Sequence, residues 1–343
     1  MHILLTCAYV AAFVYIIRKW SFFKSEGIPA AWPTYLFLFK IVAGVILGLI
    51  YTYHYTDPKT TDTFKFFNDS TILFQSIWTH PYDFFRMLTG YDAESEELRS
   101  YYLRMDAWLN TNLLFNDNRT IIRLNAIFHF FSLGYYYIHV VFLNFLSFIG
   151  LFSLYKVFER ELPERKKELL LFTFLLPSTL FWGSGLLKDG LLMFGLGVFL
   201  YNFYQFLKFP KEHKRLIPLA LSIGLLCITK FYIIVLLTPG IAIWWLSVKF
   251  KLSRPAIYVL VGYLLFFTCA FNFYRILPEY NLAAMLYWKQ FNFFGYATAV
   301  ESKSLIDIPR LGLDTWSVLK HAPQAFLTTY LRPFFNDIKG NPL

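Results

Sequence analysis

FWGSGLLKDG, Phe181–Gly190, sets a lysine and an aspartate side by side between segments 169–184 and 190–207, which are otherwise almost wholly apolar. Each segment approaches the ~20 residues an α-helix needs to cross a hydrocarbon core of about 30 Å. The glycines let the backbone break between them, so the stretch reads as a turn joining two spanning helices near the membrane surface. The same pattern of apolar run and short charged connection recurs, and predicts helices at 2–17, 35–53, 133–155, 169–184, 190–207, 216–229, 231–247 and 256–272. The expected fold class is all-α: a polytopic α-helical membrane protein with about eight transmembrane helices, a long first outer loop and an outer-face C-terminal segment.

Composition agrees. Of 343 residues, 57% are hydrophobic and only 16% charged, which sets the chain apart from soluble domains. The formal charge of +10 does not point to nucleic acid, because the basic residues fall in short clusters between apolar runs. These clusters are Arg18, Lys19 and Lys24; Arg160, Arg165, Lys166 and Lys167; Lys208, Lys211, Lys214 and Arg215; and Lys249, Lys251 and Arg254. The threading puts all of them on one side, which the positive-inside rule makes cytoplasmic. The N-terminal MHILLTCAYVAAFVYIIRKW carries its charges after its apolar stretch, the reverse of a cleaved signal, and reads as a retained helix with its N-terminus outside. Cys7, Cys227 and Cys269 lie in apolar runs without metal-ligand spacing and read as buried small hydrophobes.

The chain therefore divides into two N-terminal spans (1–54), an outer loop with interfacial helices (55–132), a bundle of about six helices (133–272) and an outer-face interfacial segment (273–343). In the loop, DAESEE at Asp92–Glu97 is a solvated surface. IIRLNAIFHFFSLGYYYIHV, Ile121–Val140, has helical spacing and runs into a span, as an interfacial helix bending into the membrane would, with Tyr135, Tyr136 and Tyr137 at headgroup depth. After Arg275, Pro309, Pro323 and Pro333 predict short helices lying along the outer surface, and the abrupt end at GNPL leaves room for a further helix.

The residues able to carry chemistry then fall on the outer side. TDTFKFFND, Thr61–Asp69, offers two carboxylates seven residues apart, hence on one helix face about two turns apart. Asp62 is the first choice for a base and Asp69 the second, with a ligand role if a divalent cation bridges a phosphate. The bland reading is an N-cap aspartate beside interfacial aromatics. In the FWGSGLLKDG turn, a restarting helix with Lys188 beside it suits a phosphate, while Asp189 either orients Lys188 or caps the helix. Lys230 stands alone between apolar runs, a functional candidate unless it snorkels to the interface. With Arg275, Arg310 and Arg332 these cations suit the diphosphate of a lipid-linked sugar, whose tail would lie in the membrane lipids. His129 and His139 sit in aromatic-rich helical sequence and read as packed. No HExxH, GxSxG, Walker or dinucleotide-binding pattern occurs.

TDTFKFFND, LPSTLFWGSGLLKDG, YWKQFNFF (Tyr287–Phe294) and AFLTTYLRPFFND together resemble a group of bacterial multi-spanning proteins, many from Bacteroidetes-type genomes, linked with GT-C glycosyltransferases or polysaccharide polymerases. The resemblance implies an aspartate base or metal ligand in the first outer loop, which maps onto Asp62 with Asp69 as alternative. In the GT-C pattern that aspartate follows the first span, whereas here it follows the second. A polymerase would instead lean on the outer arginines Arg275, Arg310 and Arg332. The third reading is a non-enzymatic subunit docking protein partners of an envelope assembly.

Overall fold

The computed structural model describes residues 1–54, 61–108, 116–299 and 308–331. Among them every regular element is helical: α1 (His2–Lys19), α2 (Trp32–Tyr53), α3 (Asp62–Thr79), α4 (Pro81–Thr89), α5 (Arg99–Tyr102), α6 (Asp117–Ser132), α7 (Tyr136–Glu161), α8 (Lys166–Leu175), α9 (Pro177–Trp182), α10 (Lys188–Lys208), α11 (Leu216–Phe250), α12 (Pro255–Asn272), α13 (Leu282–Ala299) and α14 (Thr315–Leu331). Six described helices are long and apolar enough to cross a membrane: α1, α2, α7, α10, α11 and α12. An α-helical membrane protein has this character.

The difference from eight has two local causes. The run at 169–184 is cut at Leu176, held at φ −60°, ψ 118° before Pro177, so it gives α8 and α9 of 10 and 6 residues. Proline has no N–H to give and pushes its predecessor out of helical space. The runs at 216–229 and 231–247 are both helical and count together as α11, with the break between them at Lys230, as the sequence placed it, where the backbone is extended (φ −142°, ψ 80°).

The chain forms two compact units, Met1–Leu237 and Thr238–Leu343. In the first, α7 is the central helix. Phe13 of α1 stacks on Phe145 at 4.2 Å, and the His2 ring lies 5.4 Å from Tyr135, so α1 runs alongside α7 in the same direction. α10 also runs with α7, so close that a Cβ on Gly197 would lie 1.9 Å from the Gly150 carbonyl oxygen. α2 runs opposite, its Gly48 against Tyr136 and Tyr137 and its Gly44 against Val140 and Asn144.

The basic connections of this unit collect at one end. There Lys156 Nζ donates to the Lys24 carbonyl (2.6 Å), Lys166 Nζ to the Glu26 carbonyl (3.1 Å), Arg160 to Gln205 (3.0 Å), and Lys208 pairs with Glu161 (2.9 Å). Lys249, Lys251 and Arg254 belong to the second unit.

The opposite end carries a helical cap, α3 to α6, whose buried Phe66, Leu73, Phe84, Met87, Trp108 and Ile122 form one core with Ile138, Val140 and Leu143 of α7 and Leu191 of α10. Gly90, left-handed at φ 85°, ends α4, and Asn116 caps α6 by accepting from the amides of Asn118 (2.9 Å) and Arg119 (3.3 Å). The described residues of 61–132 thus pack as a helical cap on the bundle. Leu133 (φ 53°) and Gly134 (φ 78°) make the bend from α6 into α7. There Tyr136 hydrogen-bonds Thr63 of α3 and, with Tyr137, packs on Gly48, because the cap folds back over that helix end. Cys7 and Cys269 are exposed, a correction to the reading of buried cysteines, since the apolar face of a spanning helix can meet lipid as readily as protein.

In the second unit, α12 packs its Gly262 against Ile243 and its Tyr263 against Gly240 of α11. The tail forms α13 and α14, of 18 and 17 residues, longer than the short helices expected, with Pro323 inside α14.

Candidate functional site

The adjacent Lys188 and Asp189 open α10, after the extended Leu187. Successive residues of a helix point about 100° apart, and these two reach different neighbours. Lys188 Nζ turns to the cap, 2.9 Å from Asp117 Oδ2 and 2.7 Å from Asn118 Oδ1, with the Phe66 ring 5.4 Å away. Asp189 faces Lys230 at the break in α11 (3.7 Å). It neither pairs with Lys188 nor caps α10, the two roles its position suggested. Beside them Thr120 Oγ1 donates to the Ile228 carbonyl, 2.7 Å, tying α6 to the turn before the break.

The two lysines and two aspartates are partly exposed, Lys188 by 22% and Lys230 by 23%. Such pairs are worth up to ~1 kcal/mol, so a ligand with more concentrated negative charge can displace either carboxylate from its ammonium. Asp62, the exposed first residue of α3, precedes Phe66 by one turn. Helix geometry therefore sets their Cβ atoms about 6 Å apart, and Asp62 lies on the same side of α3 as the ring under Lys188.

Asp69 is placed otherwise. It is buried, and its carboxylate accepts the amides of Asp106 (3.0 Å) and Ala107 (2.8 Å). Burial pushes it up to about 6, against the opposing pull of those two hydrogen bonds. It pins the 105–108 strand of chain onto α3, and the structure gives it no open face like that of Asp62. His129 and His139 are packed, as expected: His129 lies between the Ser70 and Thr71 hydroxyls (3.1 and 3.2 Å), and His139 between Asn125 and Ser132 (2.8 and 2.7 Å).

Arg275 and Arg310 belong to the second unit, where both are exposed. The Arg310 guanidinium stacks 3.5 Å over Phe294 in a cleft of about 540 Å³ that Tyr287, Gln290 and Phe291 also line. Arg332 lies outside the described residues. Among the described residues no three His, Cys, Asp or Glu side chains group as metal ligands would.

Sequence reasoning missed Asp117 and Asn118, although NDNR, Asn116–Arg119, has the form of a helix N-terminus. It also gave no role to Lys40, which is fully buried in α2 and donates to the Gly183 carbonyl (2.9 Å) and Ser184 Oγ (3.0 Å). Asn144 of α7 donates to the Ser184 carbonyl. The two side chains satisfy backbone that the break before α10 frees, a need that is severe where no water is at hand. They hold the FWGSG turn on α2 and α7, and so set where Lys188 and Asp189 begin.

Comparison with protein-family models, with curated proteins and with solved structures gives no match to this chain.

Proposed function

We propose that the protein is a membrane glycosyltransferase that takes its sugar from a polyprenyl phosphate or diphosphate at the outer face of the bacterial cytoplasmic membrane. The observation that carries this reading is Lys188. Its ammonium lies over Phe66, a residue one turn along α3 from the exposed Asp62, and this shared neighbour, at the end of an apolar helical bundle, supports a joint role for the acid and the cation. Lys230 adds a second cation through Asp189.

Asp62 then takes the proton of the acceptor hydroxyl as that oxygen bonds to the sugar's anomeric carbon. The bond from that carbon to the phosphate oxygen breaks, and the departing phosphate gains its charge beside Lys188 and Lys230. A divalent cation, where the donor brings one, would share that charge. The polymerase reading needs Arg275, Arg310 and Arg332. Arg275 and Arg310 belong to the second unit and Arg332 lies outside the described residues, so the reading built on Asp62 and Lys188 rests on the first unit alone.

The test uses cells lacking the protein, complemented with wild type, Asp62→Asn or Lys188→Ala, and mass spectrometry of their lipid extracts and surface glycans. Asp62→Asn should reach the membrane in normal amount, lose glycan product by about 100-fold or more and accumulate the lipid-linked donor. Normal product from Asp62→Asn overturns the proposal. Loss on replacing Arg275 instead would favour the polymerase, and no change in any glycan would favour a subunit without catalysis.

A further inference from the structure

The cap exposes large apolar side chains where a water-facing subdomain would present polar ones. Trp78 is 76% exposed, Phe85 55%, Phe131 54% and Phe130 47%, and Leu133 and Ile127 are exposed beside them. They are contiguous through ring contacts: Trp78 meets Phe74 (6.3 Å), Phe74 meets Phe130 (4.9 Å), and Phe130 meets Phe84 (6.1 Å), the neighbour of Phe85. A patch of this kind marks a surface that something covers.

The height of the patch along the bundle identifies the cover. Phe131 packs on Phe142 of α7, and its carbonyl accepts the Tyr9 hydroxyl of α1 at 2.8 Å. Beyond Tyr9 toward the N-terminus α1 still exposes Ile3 and Leu4, and only 6% of its apolar window is buried. If lipid covers α1 along its length, lipid also reaches Phe131, and the patch continues that surface sideways without a step. Tryptophan and phenylalanine at a helix face are what a headgroup boundary favours.

We infer that the face of the cap formed by Trp78, Phe85, Phe130 and Phe131 is seated in the bilayer interface, so that the cap lies partly sunk in lipid instead of standing in water. The occupant is the lipid itself, continuous with the layer around α1 and α7. The inference needs the chain to span a membrane and does not depend on sugar transfer. Its consequence is that a ligand can reach α3 and α6 from the plane of the bilayer, without leaving the lipid.

The experiment uses the full chain in nanodiscs of phosphatidylglycerol and phosphatidylethanolamine, with Cys7, Cys227 and Cys269 replaced by alanine. A nitroxide is attached in turn at Phe85→Cys, Phe130→Cys, Phe131→Cys and, as an aqueous control, Glu96→Cys. Collision with oxygen should exceed collision with a nickel chelate at the three apolar positions and reverse at the control. As a check that leaves the fold alone, brominated lipid should quench wild-type fluorescence more than that of Trp78→Phe. Nickel accessibility at all three apolar positions would overturn the inference, since the face would then be in water. So would exclusion of both colliders, which would assign the face to a second copy or another protein. Equal quenching of Trp78→Phe and wild type would also count against it.

Discussion

At the scale of single residues, the cap holds two buried titrating groups whose effects oppose. His129, with its ring 5.3 Å from Phe74 and 4.4 Å from His139, is held down to about 4 by burial, below the usual 6.5. The titrating group that faces it from α7 is His139, and the hydroxyls of Ser70 and Thr71 face it from α3. A histidine depressed in the folded state binds its proton more readily when unfolded, so its contribution is present above about 6.5 and is lost as pH falls toward 4. Asp69, raised to about 6 from 3.8, acts with the opposite sign: its contribution is present at low pH and is lost as pH rises through 6. Thermal unfolding of wild type and His129→Gln, which cannot titrate there, should therefore diverge on acidification. Between pH 7 and 4.5 the wild type should lose several degrees more of Tm than the variant, and parallel curves would show that His129 does not titrate in this window. The sequence made the histidines legible as packed because aromatic residues surround them. It could not separate Asp62 from Asp69. Both lie on α3, and what distinguishes them is a loop 37 residues away in sequence whose amides close over one of them.

Among elements, the closest approach is that of α7 and α10. A Cβ on Gly150 would lie 2.2 Å from the Met193 carbonyl oxygen, and one on Gly197 1.9 Å from the Gly150 oxygen, both backbone atoms that cannot swing aside. Glycine here lets two backbones touch, the means by which helices pack in lipid without a hydrophobic drive between them. Gly197→Ala should separate the helices at a cost of about 1–3 kcal/mol or more and lower the Tm in detergent. Alanine at Gly224, with nothing within 4 Å of its Cβ, should change it little. A stable Gly197→Ala variant would mean that the contact is looser than its geometry. Helix positions were legible from apolar runs and basic ends, because length and the cost of charge in lipid dictate them. The breaks were less so. The run 169–184 reads as one span although Pro177 cuts it, and at the break the sequence did place, Lys230, the partner Asp189 lies 41 positions earlier with nothing at that distance to mark it.

For the molecule as a whole, sugar transfer from an outer-leaflet donor requires the cap end to face out. The cap bears Asp92, Glu94, Glu96 and Glu97, while Lys24, Lys156, Lys166 and Lys208 collect at the other end of the first unit, where the ammonium groups of the last three each find a carbonyl or carboxylate partner. That asymmetry was legible from the sequence, because the positive-inside rule counts residues in short loops and needs no tertiary contact. The packed cap was not, since its core joins segments that look like a polar loop until they fold together. Orientation is testable in intact cells with Cys7, Cys227 and Cys269 replaced by alanine. A membrane-impermeant maleimide should label Glu96→Cys before lysis and Lys167→Cys only after it. Both residues are exposed, so access is decided by the membrane. The reverse pattern would turn Asp62 and Lys188 toward the cytosol, where a donor displayed on the outer leaflet could not meet them, and sugar transfer at that face would have to be abandoned even if the cap and its ion pairs were as described.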